Sequence, residues 1–172
     1  MRIRMVSLCA FCCAVLALGG IASAASLSNT DKQFLVSVAQ TDTTEAHQGQ
    51  MAQNQASRAD VKDLGKTLAM DSTHSYEELT ELAAKNGVAI PKGIDTTKIH
   101  SVQQLAHLKG NRFDEIYSKD EIAAQRRTVA MFKREAEHGQ DADLKAWASK
   151  MLPLVEKHLQ LAQQTSKTAR RS

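Results

Sequence analysis

Asp71 and His74 interrupt the apolar repeat of a stretch that otherwise reads as the middle of a long helix, Thr67 to Leu82. Three residues apart, their side chains project to neighbouring positions on one helical face. Inside a helical bundle, a carboxylate and an imidazole can satisfy each other, fix helix register by hydrogen bonding, or ligate a metal ion. Other residues of the same chemistry fall on other helical stripes: Asp42 and Glu45, then Glu121, then His158.

Four periodic segments must position these groups. In the first, Thr30 is the expected cap, with Gln33 three residues on, and Phe34, Leu35, Val38 and Ala39 recur at helical spacing. Its face continues through Asp42, Glu45, Gly49 and Ala52, so its middle is polar. A break at Ala56-Ser57 leads to the second segment, with Ser57 as expected cap, and Val61, Leu64, Leu68, Asp71, Ser75, Leu79 and Leu82 on one face. Asn86-Gly87 ends it, because glycine takes the left-handed conformation without steric cost. Residues 87–110 form a long connection, punctuated by Pro91 and Gly93, with a short helix expected over 102–108. The third long helix is expected from Asn111 to His138, with Ile122, Val129, Phe132 and Ala136 as its stripe and Gln125 within it. The fourth starts near Asp141 and carries Leu144, Trp147, Met151, Val155, His158 and Ala162; Pro153 in its interior should kink it.

No segment alternates with period two for long, so the fold class is all-α. Four helices of about 25 residues, each with one apolar stripe, make a four-helix bundle the natural burial solution. The long connection between the second and third long helices points to a crossover, since bundle loops are commonly about 2–8 residues.

Folding the first two segments about Ala56-Ser57 places Asp42 level with Asp71, and Glu45 level with Leu68. The same operation on the last two places His158 level with Glu121. At 1.5 Å rise per residue both His74 and His158 then lie mid-bundle. Glu45, Asp71, His74, Glu121 and His158 are therefore the candidate metal ligands. Di-iron bundles take a Glu from each of two helices and a Glu-x-x-His from each of the others. Here Asp71 stands for one such Glu and Val155 for the other. The pattern leaves three readings: a structural polar network, a single ion of zinc, copper or iron, or groups that face water. No cofactor is expected beyond such an ion.

Both ends set the context. Arg2 and Arg4 precede an apolar run from Met5 to Leu18, and Ala22-Ser23-Ala24 is an A-x-A cleavage site. This is the anatomy of a secretory signal peptide over residues 1–24, which implies a periplasmic location. Cys9, Cys12 and Cys13 all lie within it, so the mature chain offers neither disulfide nor thiolate ligand. Residues 25–165 then form one bundle domain, and 166–172 a basic, frayed tail. The formal charge of +3 loses the two leader arginines on cleavage, which is no nucleic-acid footprint. No transmembrane segment is expected in the mature chain. A cysteine nucleophile, a glycine-rich phosphate loop and a serine elbow are all missing from it.

Several residues together carry a resemblance. They are Asp31-x-x-Phe34 with Glu45, Met70-x-x-x-His74 with Glu78-Leu79, and Leu105, Leu108 and Gly110. Phe113-Asp114, Tyr117, Val129-x-x-Phe132 and Leu152-Pro153-x-x-x-x-His158-Leu159 complete the set. Over Asp31 to Gln163 the chain resembles a bacterial family of exported ferritin-like bundles, number 4142 among the domains of unknown function. The resemblance implies a ferritin-like four-helix fold and an envelope location, and supplies no reaction. Where the family carries Asp-His on the second helix this chain has Thr73-His74, and where it carries a further histidine this chain has Gln125. The expected role is a non-catalytic bundle that binds a protein partner or small ligand in envelope or stress physiology. The alternative is a metal-binding or metal-dependent protein using the five residues above.

Overall fold

The computed structural model describes residues 27–169. The expected signal peptide and the last three residues of the expected tail lie outside them. The described residues form five α-helices and no strand: α1 (Asn29–Gln55), α2 (Ala59–Lys85), α3 (Ile99–Ala106), α4 (Gly110–His138) and α5 (Ala142–Ala169), with a short 3-10 turn (Thr96–Lys98) ahead of α3. The all-α reading holds. Among the described residues no helix is long and apolar enough to cross a membrane.

Helix ends depart from the expected caps in two places. Ser28, not Thr30, caps α1 by accepting from the Asp31 amide at 3.1 Å. Arg58 occupies the cap position of α2 and makes no side-chain cap. Ser57 is instead drawn away to Asp114 on α4. The short helix begins three residues earlier than expected, and α5 runs on to Ala169, so the first residues of the expected tail are helical. Helix α5 is continuous through Pro153.

Two carboxylates at opposite ends set the arrangement of the helices. Asp31, at the start of α1, accepts from the amides of Gln140 and Asp141 in the α4–α5 turn, each at 3.1 Å. Asp114, at the start of α4, accepts from the amides of Ser57 and Arg58 in the α1–α2 turn, each at 3.1 Å. Each turn thus finds on the neighbouring hairpin an acceptor for two amides that no helix satisfies. The start of α1 lies beside the end of α4, so those helices are antiparallel. Lys85, ending α2, pairs with Asp143, starting α5, so α2 and α5 are antiparallel too. Helices α2 and α4 consequently run in the same direction, and the segment joining them crosses the length of the bundle. It does so over the outside of α1. The Asp95 amide donates to Thr44 Oγ1 at 3.3 Å, and Gln55 Nε2 donates to the Ala106 carbonyl at 3.1 Å.

The two hairpins are related by a pseudo-twofold that the sequence reading did not detect. One fixed interval along the chain carries Asp31 to Asp114, Phe34 to Tyr117, Ser57-Arg58 to Gln140-Asp141, and Ala59-Asp60 to Ala142-Asp143. Few identities survive. The matched hydrogen bonds, not the residue types elsewhere, reveal the repeat.

Apolar packing forms two separate clusters. One joins Phe34, Leu35 and Val38 of α1 to Leu79, Phe132, Leu144, Trp147 and Val155. There Phe34 meets Phe132 edge-on at 5.3 Å between ring centroids, a favourable arrangement for two quadrupoles. The other joins Ala52, Val61, Leu64 and Leu68 to Leu105, Phe113, Tyr117 and Ala162. Near this second end α1 and α2 are in backbone contact. A Cβ on Gly65 would lie 2.5 Å from the Cβ of Ala52, and one on Gly49 would lie 2.3 Å from the Gly65 carbonyl. Only glycine permits that approach.

Candidate functional site

Between the two apolar clusters every long helix turns polar. Helix α1 contributes Asp42 and Glu45, α2 Ser72 and Ser75, α4 Glu121 and Gln125, and α5 His158; all are buried. Burying so many polar groups is costly unless they satisfy one another. Glu45 is the hub. Its Oε2 accepts from Ser72 Oγ at 2.8 Å and its Oε1 from Gln125 Nε2 at 2.6 Å. His158 Nε2 lies 2.8 Å from Asp71 Oδ2, which ties α5 to α2 across the layer.

Electrostatics separates the carboxylates. Burial pushes the Glu45 carboxyl up, against the pull of the Ser72 hydrogen bond, the His158 ring and Gln125. Burial raises Glu121 well above the usual carboxylate range, and the neighbouring charge of Glu45 adds to it. Asp42 is also raised well above its usual range by burial, with Ser75 opposing and Glu45 reinforcing. Glu45 accepts at both oxygens, as an ionised carboxylate does, whereas Glu121 Oε2 has no hydrogen-bond partner. The two acids therefore divide the roles: Glu45 holds charge, and Glu121 holds a proton. Burial, and secondarily Glu121, also raises the Tyr117 phenol, whose oxygen is unpartnered as well.

A cavity of about 450 Å³ opens from the groove between α1 and α4 to this layer. Glu45 and Glu121 line it, with Thr44, Thr128 and Gln48 among its polar walls; Lys98, Asp95, Asp120 and Arg127 complete its charged lining.

The five candidate ligands do not converge. Asp71, Glu45, Glu121 and His158 belong to the polar layer or touch it. His74 does not: its side chain is 70 % exposed, with Nε2 3.4 Å from Glu78 and Nδ1 3.7 Å from Glu77 on its own helix. The expectation that His74 faces inward as a candidate ligand is corrected for a simple reason. The buried seam of α2 steps from Leu68 to Ser72 and Ser75, so position 74 is rotated by about 100° from position 75. The register differs as well. Glu45 lies opposite Ser72, not Leu68, and Asp42 engages Ser75, not Asp71. Among the described residues no group of three or more His, Cys, Asp or Glu side chains is placed to hold a metal ion. His158 Nε2 faces Asp71, and both oxygens of Glu45 are already used. These residues as placed do not fit a shared ion.

A family profile described as "Domain of unknown function (DUF4142)" matches residues 17–165, nearly the whole chain. The chain belongs to the DUF4142 family. No curated protein and no solved structure matches it. For this DUF4142 chain, sequence reasoning found Glu45, Asp71, Glu121 and His158 but missed Ser72 and the cavity residues Lys98 and Arg127. A signal for Ser72 was present, since a step of four from Leu68 is as helical as a step of three. Nothing in the sequence brought Lys98 and Arg127 together, because the path of the connection over α1 decides that.

Proposed function

We propose that this DUF4142 chain is a non-catalytic, ferritin-like four-helix bundle that binds a small ligand in the periplasm, in the service of envelope or stress physiology. The architecture is read as ferritin-like because α2 and α4 run parallel and are joined by a crossover, the one-crossover bundle arrangement. The periplasmic assignment rests on the leader-like sequence of residues 1–24. One observation carries the binding role: a cavity of about 450 Å³ reaches two buried carboxylates, one of which keeps an unpartnered oxygen. That volume lies in the range of small-molecule sites.

A metal-dependent role has less support, because the side chains that would ligate are hydrogen-bonded to one another or, for His74, turned outward. The test is native mass spectrometry of protein purified from a periplasmic extract, together with oxidase and peroxidase assays after incubation with iron, copper or zinc. A retained small molecule and no sustained turnover are expected. Sustained turnover abolished by Glu45→Ala would overturn the reading.

A further inference from the structure

We propose that a second cavity, beside α4, is a site for a phosphate-bearing anion held between Lys119 and Arg126. The site does not depend on the ligand-binding reading of the α1–α4 groove. Along α4, Arg112, Lys119, Arg126 and Lys133 recur every seven residues and so form one stripe of the helix. The outer two are paired: Arg112 with Glu115 at 2.6 Å, and Lys133 with Glu156 of α5 at 3.0 Å. The inner two are exposed and make no ion pair or hydrogen bond among the described residues. Both line a cavity of about 850 Å³ that Arg58 of the α1–α2 turn and Ser166 of α5 also border.

The pairing around this cavity decides the sign of its ligand. Its charged lining is Arg58, Asp114, Glu115, Lys119 and Arg126. Asp114 accepts at both oxygens, from the Ser57 and Arg58 amides and the Ser57 hydroxyl. Glu115 stands four residues before Lys119, a spacing that favours pairing, yet it turns to Arg112 instead. Arg58 is tied to Asp60 and donates to the Thr165 carbonyl at 2.9 Å, so its charge is already answered. What remains is two accessible cations. Like charges that face one concave space beside an apolar wall, here Ile122 and Ala123, focus the field and concentrate counter-ions of the opposite sign. Two turns of helix separate Lys119 from Arg126, about 10 Å along the axis, a gap that two long side chains close on one multiply charged ligand. A guanidinium fork and an ammonium match phosphate oxygens, which accept in several directions and carry up to about two charges. The Ser166 hydroxyl, which makes no hydrogen bond among the described residues, supplies a further donor on the same lining. The volume lies in the range of small-molecule sites.

The experiment is titration calorimetry of the full mature protein at low ionic strength, with inorganic pyrophosphate and, as a carboxylate control, succinate. Co-sedimentation with phosphatidylglycerol and phosphatidylcholine vesicles separates a lipid headgroup from a soluble phosphate. Pyrophosphate should bind one to one and more tightly than succinate. Arg126→Gln and Lys119→Gln, both at exposed positions, should each weaken it roughly tenfold, as loss of a charge-assisted hydrogen bond implies. Lys133→Gln removes the same charge from the same stripe outside the cavity, and screening should hold its effect to about twofold. Equal weakening by Lys133→Gln would mean attraction to net charge alone and would overturn the site. Equal binding of succinate, or no binding of either pyrophosphate or anionic vesicles, would overturn it too. Binding to phosphatidylglycerol vesicles alone, lost in Arg126→Gln and kept in Lys133→Gln, supports the site and assigns its phosphate to a headgroup.

Discussion

Glu135 gives the sharpest test of the electrostatics. It lies in the last turn of α4, is 2 % exposed, and faces Asp31, whose two oxygens hold the α4–α5 turn. Gly139 makes room for it: a Cβ there would sit 2.8 Å from Glu135 Oε1. Burial first, then the Asp31 charge, raises the Glu135 carboxyl to about 7. The native state therefore keeps a proton that the unfolded chain releases near the ordinary glutamate value of 4.5. A carboxyl raised in this way contributes its stability in full below about pH 4.5, and that contribution is lost as pH rises through about 7. The difference between about 7 and 4.5 sets a ceiling of roughly 3 kcal/mol. The window from about pH 5 to about pH 8 traverses only part of that ceiling, so about 1–2 kcal/mol is the working figure. Glu135→Gln keeps the shape and removes the titration. Urea unfolding from about pH 5 to about pH 8 should show the wild type losing about 1–2 kcal/mol more than the variant. Asp42, Glu45 and Glu121 are raised in both proteins, so the difference between the two curves isolates Glu135. Parallel pH dependences would refute the assignment of a native proton to this site.

Three further outcomes follow from packing and hydrogen bonding. Gly65→Ala gains about 1 kcal/mol of helix propensity but forces α1 and α2 apart, so thermal unfolding should report a net loss of about 1–3 kcal/mol. Asp114→Ala strips the acceptor from the Ser57 and Arg58 amides and the Ser57 hydroxyl, and should cost about 2–4 kcal/mol in chemical denaturation. Glu121→Met replaces a carboxyl that burial holds protonated; because that native proton becomes costlier to keep as pH rises, the variant should be stabilised more at pH 8 than at pH 5 in the same assay.

The long helices were legible because their apolar residues recur at helical spacing and their ends carry breaks such as Ala56-Ser57 and Asn86-Gly87. The polar layer was legible too, at Asp42, Glu45, Gln125 and His158, where a stripe otherwise apolar changes type. What failed was the rotation of α2. Steps of three and four are both helical, so Asp71 and Ser72 compete for the same inward position, and packing against α1 chose Ser72. A one-residue rotation error was enough to turn His74 inward on paper and outward in the folded chain. The vertical register slipped by one turn for a related reason. The hairpin's level is set by where Gly49 and Gly65 let the backbones touch, a contact that an expected loop centre does not encode.

The pseudo-twofold explains why the polar layer forms one cavity and not a symmetric channel. Where the hairpins serve the same structural need, their residues match: Asp31 with Asp114 at the caps, and Phe34 with Tyr117 one turn in. At the mid-level the same interval instead carries Val38 to Glu121, Glu45 to Thr128 and Ser75 to His158. Each exchange sets an acid or an imidazole against a neutral partner, so the buried charges gather unevenly about the axis. Stability alone gives no reason for this, since apolar residues of similar volume at these positions would be neutral or better. The asymmetry places both carboxylates in the single groove between α1 and α4, and the connection that crosses α1 supplies Asp95 and Lys98 to that same groove. A symmetric layer would have served to fix register. Only the asymmetric one leaves a carboxylate oxygen unsatisfied beside an open cavity.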